Sequence, residues 1–402
     1  MNPLGRALFL SAVLAWTGCG GGASTPSAPS RAQQASLYDA IINQDYSGGW
    51  GVELAIYRNG VPVYVNGYGF RDRGMPDIFY GTNIWGTPQP DTLLNLPRVM
   101  AAPDVDTVFC LASLSKEFTA GAILLLQQDG ALSISDPVSK YFPTLPSATG
   151  MTLLNLLQHS SGFVDYNTFG VYPDFTSAYQ AFMASGQTNY QVVVSKLAAF
   201  QLDFTPGTKY EYSNTNYLLL GMIVAMVSGQ PLGTFLQQRI FGPLGMTHTQ
   251  QGYPPIGATD FALGYADLGM GPKRIYQWNL TWLAGPGGLT STVSDIEKWD
   301  EAVRTPGIFN QTSLTQMFAP GPFPQPFGTY ADGWIVSNLN GHVFIWHDGA
   351  LGGYQTMNAT FPNDGLDIIV LTNDGSGVAP ANAVPALFGI ATTAASRRRP
   401  PL

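Results

Sequence analysis

Strand-like segments stand near both ends of this chain and helix-patterned segments fill its middle, an order that few folds accommodate. Gly51–Tyr57 and Val61–Gly69 are rich in β-branched and aromatic residues and flank Asn59 and Gly60. Asn-Gly tolerates the positive φ angles of a tight turn, so this stretch reads as a hairpin. In the last third, Tyr330–Ser337, Gly341–His347, Tyr354–Phe361 and Leu366–Asn373 repeat the strand pattern, separated by short turn-rich stretches, and Val378–Ile390 reads as a closing helix. Between them Leu153–Gln158, Tyr190–Phe200, Asn216–Val227, Leu232–Ile240 and Val293–Val303 have helical spacing. For the last of these, Ser294 is the expected N-cap, with Glu297 as its capping-box partner. Strands at both ends with helices between predict an α+β fold: one antiparallel sheet built from both termini and flanked by helices, plus a mainly helical lobe. On this reading residues 36–132 and 285–392 form the α/β lobe and 133–284 the helical one.

Chemistry enters at Ser113-Leu-Ser-Lys116, the head of an apolar run that continues to Gln128. A serine hydroxyl is a weak nucleophile at neutral pH and needs a base within hydrogen-bond reach. Positions three apart share a helix face, so Lys116 can stand beside Ser113. A lysine serves as that base only if burial or a positive potential lowers its pKa. Ser115 is a rival nucleophile, but it faces elsewhere on a helix, and a structural alternative for Ser113 is an N-cap. Three further stretches follow: His159-Ser-Ser-Gly162, Tyr212-Ser-Asn214 and His347-Asp-Gly349. Asn214 has its own structural alternative, as cap of the helix expected from Asn216.

Ser-x-x-Lys, Tyr-x-Asn and Lys/His-x-Gly, in that order and widely separated, resemble the motifs of the serine β-lactamase-related superfamily: class C β-lactamases, DD-carboxypeptidase-type penicillin-binding proteins and esterases built like them. The resemblance runs over almost all of residues 36–392. It implies that Ser113 attacks a carbonyl to form an acyl-enzyme, with Lys116 and Tyr212 exchanging its proton, in a cleft between the lobes. Which of the two is the base stays open, since such a pair titrates together. The resemblance further implies that Asn214 bonds Lys116 and the substrate side, and that Gly349 lets substrate lie close to its strand. The backbone N–H groups of Ser113 and Ala350 would form the oxyanion hole, each such donor worth about 3 kcal/mol. His347 stands where related β-lactamases carry lysine. Histidine is only partly charged near neutral pH, which weakens a grip on a substrate carboxylate. An esterase or D-amino-acid peptidase therefore ranks above an efficient β-lactam hydrolase. The alternative is a penicillin-binding or peptidoglycan-sensing protein that acylates with little turnover.

Composition narrows the partners. Only 11% of the 402 residues are charged and the net charge is −8, which excludes a basic track for nucleic acid. None of the four histidines lies in a His-Glu-x-x-His pattern, so neither a zinc site nor a cofactor is expected. The expected partner is a small-molecule or peptide ester or amide; oligomeric state has no signal. Arg6, the apolar run Ala7–Thr17 and Gly18-Cys19 read as a signal peptide over 1–19 with a lipobox, so Cys19 is expected to carry lipid and to anchor an exported, cell-envelope protein. Residues 20–35 read as a Gly/Ser/Pro tether, and 393–402, with its three consecutive arginines, as a disordered tail. Cys110, between Phe109 and Leu111, is expected to be a buried apolar residue.

Overall fold

A computed structural model describes residues 29–46, 48–73, 78–79, 100–166, 190–254, 258–267, 269, 271–275 and 280–393. The segment read as a signal peptide, with Cys19, and the residues beyond Thr393 lie outside these residues, as do parts of 73–105 and 250–284. Seven strands make the main sheet: β1 (Val52–Arg58), β2 (Val61–Tyr68), β3 (Thr329–Tyr330), β4 (Ile335–Leu339), β5 (His342–Leu351), β6 (Tyr354–Phe361) and β7 (Leu366–Thr372). Their order is β2-β1-β7-β6-β5-β4-β3, and every pairing is antiparallel. β1 pairs with β7 from Val52 opposite Thr372 to Arg58 opposite Leu366, which joins the two ends of the chain as expected. Asn59 and Gly60 turn the first hairpin with φ of 50° and 75°, left-handed values that Asn tolerates and that Gly, without a Cβ, adopts freely.

Side chains alternate across these strands, and both faces are covered. Val52, Leu54, Ile56, Ile368 and Val370 point to one face, where Tyr38 and Ile42 of α1 (Arg31–Asp45) and Leu387 and Phe388 of the C-terminal helix pack on them. Ala55, Tyr57, Ile369 and Leu371 point to the other face. There they meet α2 (Ser115–Gln128) and α4 (Val293–Arg304), whose Phe118 and Trp299 rings stack at 4.4 Å. Burying an aromatic side chain of this kind contributes about 2 kcal/mol. Every residue of α2 from Ser115 to Leu126 is buried, because its far side is covered by α3 (Asn214–Ser228) and its neighbours. One apolar cluster includes Phe118, Leu153, Leu219 and Leu371, so the helical lobe and the sheet lobe are intergrown around a common core.

Several boundaries move. α1 begins at Arg31, inside the stretch read as tether, because Ser30 and Gln33 form a capping box there. α4 begins at Val293 and is capped by Thr292, whose hydroxyl accepts from the Asp295 N–H; Ser294 is not the cap, and Glu297 turns into the core. The closing helix runs from Val384 to Thr393, preceded by a short turn at 380–382. Among the described residues, no single helix is long and apolar enough to cross a membrane.

Candidate active site

Ser113 lies in a single 3₁₀ turn, Ala112–Leu114, that leads into α2. Ala112 holds a left-handed φ of 50°, uncommon for a residue with a Cβ and the kind of strain that surrounding contacts must impose. Those contacts grip Leu111. Its N–H donates to the Leu289 carbonyl at 2.9 Å, and its carbonyl accepts from the Thr356 hydroxyl at 2.8 Å. Gly349 on β5 lies beneath the same turn, where a Cβ would come within 2.4 Å of both the Leu111 carbonyl and Thr356 Oγ1. It makes room for the protein's own backbone under the serine.

Both structural alternatives for the serines resolve. α2 has no side-chain N-cap, so Ser113 is not used as one. Ser115 is buried and accepts from the Leu289 N–H at 3.1 Å, which removes it as a rival nucleophile. The α3 helix likewise starts at Asn214 itself and has no side-chain cap. Asn214 faces the motif lysine instead.

Lys116 is fully buried and donates to Ser113 Oγ at 3.0 Å, Asn214 Oδ1 at 2.8 Å and the Pro286 carbonyl at 2.7 Å. Tyr212 donates its phenol to Ser113 Oγ at 2.9 Å. Asn214 in turn donates Nδ2 to Asp165 at 2.9 Å, and a carboxylate there leaves only Oδ1 to face the amine. Burial lowers the Lys116 pKa from 10.5 to about 7, against the pull of the Asp165 and Asp348 carboxylates. Burial drives the Tyr212 phenol well above 10. Two of the three Lys116 partners, an amide oxygen and a peptide carbonyl, can only accept. A neutral Lys116 must then turn its lone pair to the third, the Ser113 hydroxyl. With Lys116 neutral, the hydrogen bonds can run from Tyr212 to Ser113 to Lys116.

His347 departs from expectation. It is buried, Nδ1 lies 2.6 Å from the Asp348 backbone carbonyl, and Nε2 lies 2.9 Å from the Tyr330 hydroxyl. A carbonyl can only accept, so Nδ1 carries the proton and Nε2 accepts from Tyr330. Burial, reinforced by nearby Lys116, lowers the His347 pKa from 6.5 to about 3. The ring is neutral with both nitrogens engaged, so His347 offers neither a charge nor a free donor to a substrate; it packs behind Tyr212, with ring centres 6.3 Å apart. Ala350, by contrast, is exposed on β5 beyond the reach of β4, whose pairing stops at Trp346. That stretch of β5 runs against the Ser113 turn. His159 is buried under the Tyr212 ring at 4.3 Å and accepts from the Ser213 N–H.

A buried amine bonded to a hydroxyl at the head of a helix, beside a sheet drawn from both chain ends, is the arrangement of β-lactamase- and transpeptidase-like hydrolases. The chain belongs to the beta-lactamase family, whose model matches residues 45–387. It is similar to a penicillin-binding protein of Bacillus subtilis (29% identical over 284 residues, 67% of this chain and 61% of the relative). It is also similar to the protein flp of Staphylococcus aureus (27% over 353 residues, 85% and 64%). The chain thus spans less than two thirds of the length of these curated relatives. The D-amino acid amidase of Ochrobactrum anthropi superposes with a TM-score of 0.71 over 91% of this chain and 99% of its own, at 24% identity, which shows a common fold.

Proposed function

We propose that this protein hydrolyses an ester or amide through an acyl-enzyme on Ser113. Lys116 takes the Ser113 proton as Oγ attacks the carbonyl carbon. The N–H groups of Ser113 and Ala350 receive the developing oxyanion. Tyr212 gives its proton to the departing oxygen or nitrogen and regains one from Lys116. Water then attacks the acyl carbon and loses a proton to the same pair; the bond to Ser113 Oγ breaks, Oγ takes that proton back and the acid leaves. The observation that carries this reading is the Lys116 geometry: two acceptor-only partners leave its lone pair no direction but Ser113 Oγ, 3.0 Å away. The engaged, neutral His347 favours a substrate that needs no carboxylate grip at that place, a small ester or a D-amino-acid amide, over a β-lactam.

The test is hydrolysis of a short-chain nitrophenyl ester by Ser113→Ala. Turnover should fall by about a thousandfold or more while the circular dichroism is unchanged. Undiminished turnover rejects the reading. The likeness to penicillin-binding relatives favours a second reading, in which Ser113 acylates but deacylation is slow. Fluorescent penicillin separates the two: label that persists for hours supports the binder, and label that is lost within turnover time supports the hydrolase.

A further inference from the structure

A second polar cluster lies across α2 from the serine, between α4 and strands β6 and β7. Glu297 and Asp300 of α4 and Asp367 of β7 are 0–5% exposed, and their ligand oxygens lie within 4.8 Å of one another. That span fits around one ion, since oxygens on opposite sides of a calcium-sized cation lie about 4.8 Å apart. Arg304 bonds Asp367 and Glu297 from one side. One oxygen of each carboxylate nevertheless has no hydrogen-bond partner: Glu297 Oε2, Asp300 Oδ2 and Asp367 Oδ1. Arg304 is one positive group beside three buried carboxyls, and a carboxylate at such depth is costly unless it is paired, protonated or bound to a cation.

Groups outside the acidic trio point the same way. Asn358 of β6 is fully buried and donates Nδ2 to Asp300 at 2.8 Å and to Glu117 at 3.2 Å, yet its Oδ1 has no partner. Thr360, two residues along the same strand and directly opposite Asp367 in register, turns its hydroxyl to the same face. Carboxylate, amide and hydroxyl oxygens without nitrogen or sulfur form the donor set of a hard cation. Magnesium keeps several of its waters, whereas a buried site suits an ion that exchanges water for protein oxygens. A cavity of about 230 Å³ between α4 and the helix Gln311–Met317 is lined by Arg304 and Thr360, which also border the cluster.

We propose that Glu297, Asp300 and Asp367 bind one hard divalent cation, calcium by preference, with Asn358 Oδ1 and Thr360 Oγ1 available to complete its shell. The ion pins α4 to β6 and β7 and, through Asn358 and Glu117, braces the helix that carries Lys116. Its position and donors owe nothing to the reaction proposed above. The test uses the full chain, stripped with chelator and titrated with calcium chloride, reading bound calcium by equilibrium dialysis and melting temperature by calorimetry. One calcium per chain and a melting temperature about 4 °C higher at a hundredfold excess over the dissociation constant are expected. Asp300→Asn and Glu297→Gln should each lose both responses, and either variant suffices if the other does not fold. Absence of bound calcium and an unmoved melting temperature in the wild-type chain overturn the proposal. So does calcium bound undiminished by a folded variant, since the ion then sits elsewhere.

Discussion

In the proposed reaction Lys116 serves Ser113 only as a free amine, and its surroundings decide the pH at which it becomes one. Burial lowers its pKa to about 7, so it is protonated below that pH and neutral above it. Hydrolysis of a neutral ester should therefore rise tenfold per unit at acid pH and level off above about 7. Tyr212, held well above 10, adds no falling limb before that point. A pH–kcat/KM profile that is flat from 5 to 9 contradicts this role for Lys116. At this scale the sequence was informative where a motif fixes both residue type and spacing: Ser113, Lys116, Tyr212 and Asn214 come together within hydrogen-bond distance. Asp165 and Tyr330 were not legible, because each acts through long-range contacts that no local spacing encodes. His347 was legible as a position but not as a state. Its neutrality comes from burial and from nearby Lys116, neither of which is visible in His-Asp-Gly.

At the scale of elements, β5 does its work by close approach. Gly349 lets the strand press against Leu111 and Ala112, and the turn that presents Ser113 is shaped by that pressure. A methyl group at Gly349 meets a backbone carbonyl and a bonded hydroxyl, neither of which is the loose end of a flexible side chain. Gly349→Ala should displace the turn by several tenths of an ångström, lowering kcat about a hundredfold. It should also destabilise the fold by roughly 2 kcal/mol. Wild-type kcat together with a wild-type melting temperature would show that the turn does not depend on this contact. Elements with a strong local signal were readable, such as the hairpin at Asn59 and Gly60 and the apolar stretch of α2. Helix starts were read less well. Thr292 rather than Ser294 caps α4, and Ser30 starts α1 inside an apparent linker, because Ser and Thr cluster at both places and only the φ, ψ of the folded chain chooses among them.

The whole molecule encloses acids that its sequence order could not reveal, since they arrive from distant segments. Glu53, near the start of β1, is 1% exposed and neither of its carboxyl oxygens has a hydrogen-bond partner. Burial, with a contribution from Asp104, raises its pKa from 4.5 to about 8. Asp332, buried and bonded by Gln158 and Gln316, rises to about 7 for the same reason. A carboxyl whose folded pKa exceeds its unfolded value leaves the folded state holding more protons, so its stabilising contribution is complete below the unfolded pKa and is lost as pH rises through the folded one. The resulting window runs from about pH 4.5 to 8 for Glu53. The net charge of −8 near neutrality acts in the same direction through self-repulsion. Unfolding free energy should thus fall by something of order 2 kcal/mol between pH 5 and 8, as denaturant melts would record. Glu53→Gln, of nearly the same size and without a charge to bury, should flatten that slope and be the more stable protein at pH 8. If the variant and the wild type lose stability in parallel over this range, Glu53 is ionised in the folded protein and its burial is relieved by a group that faces it.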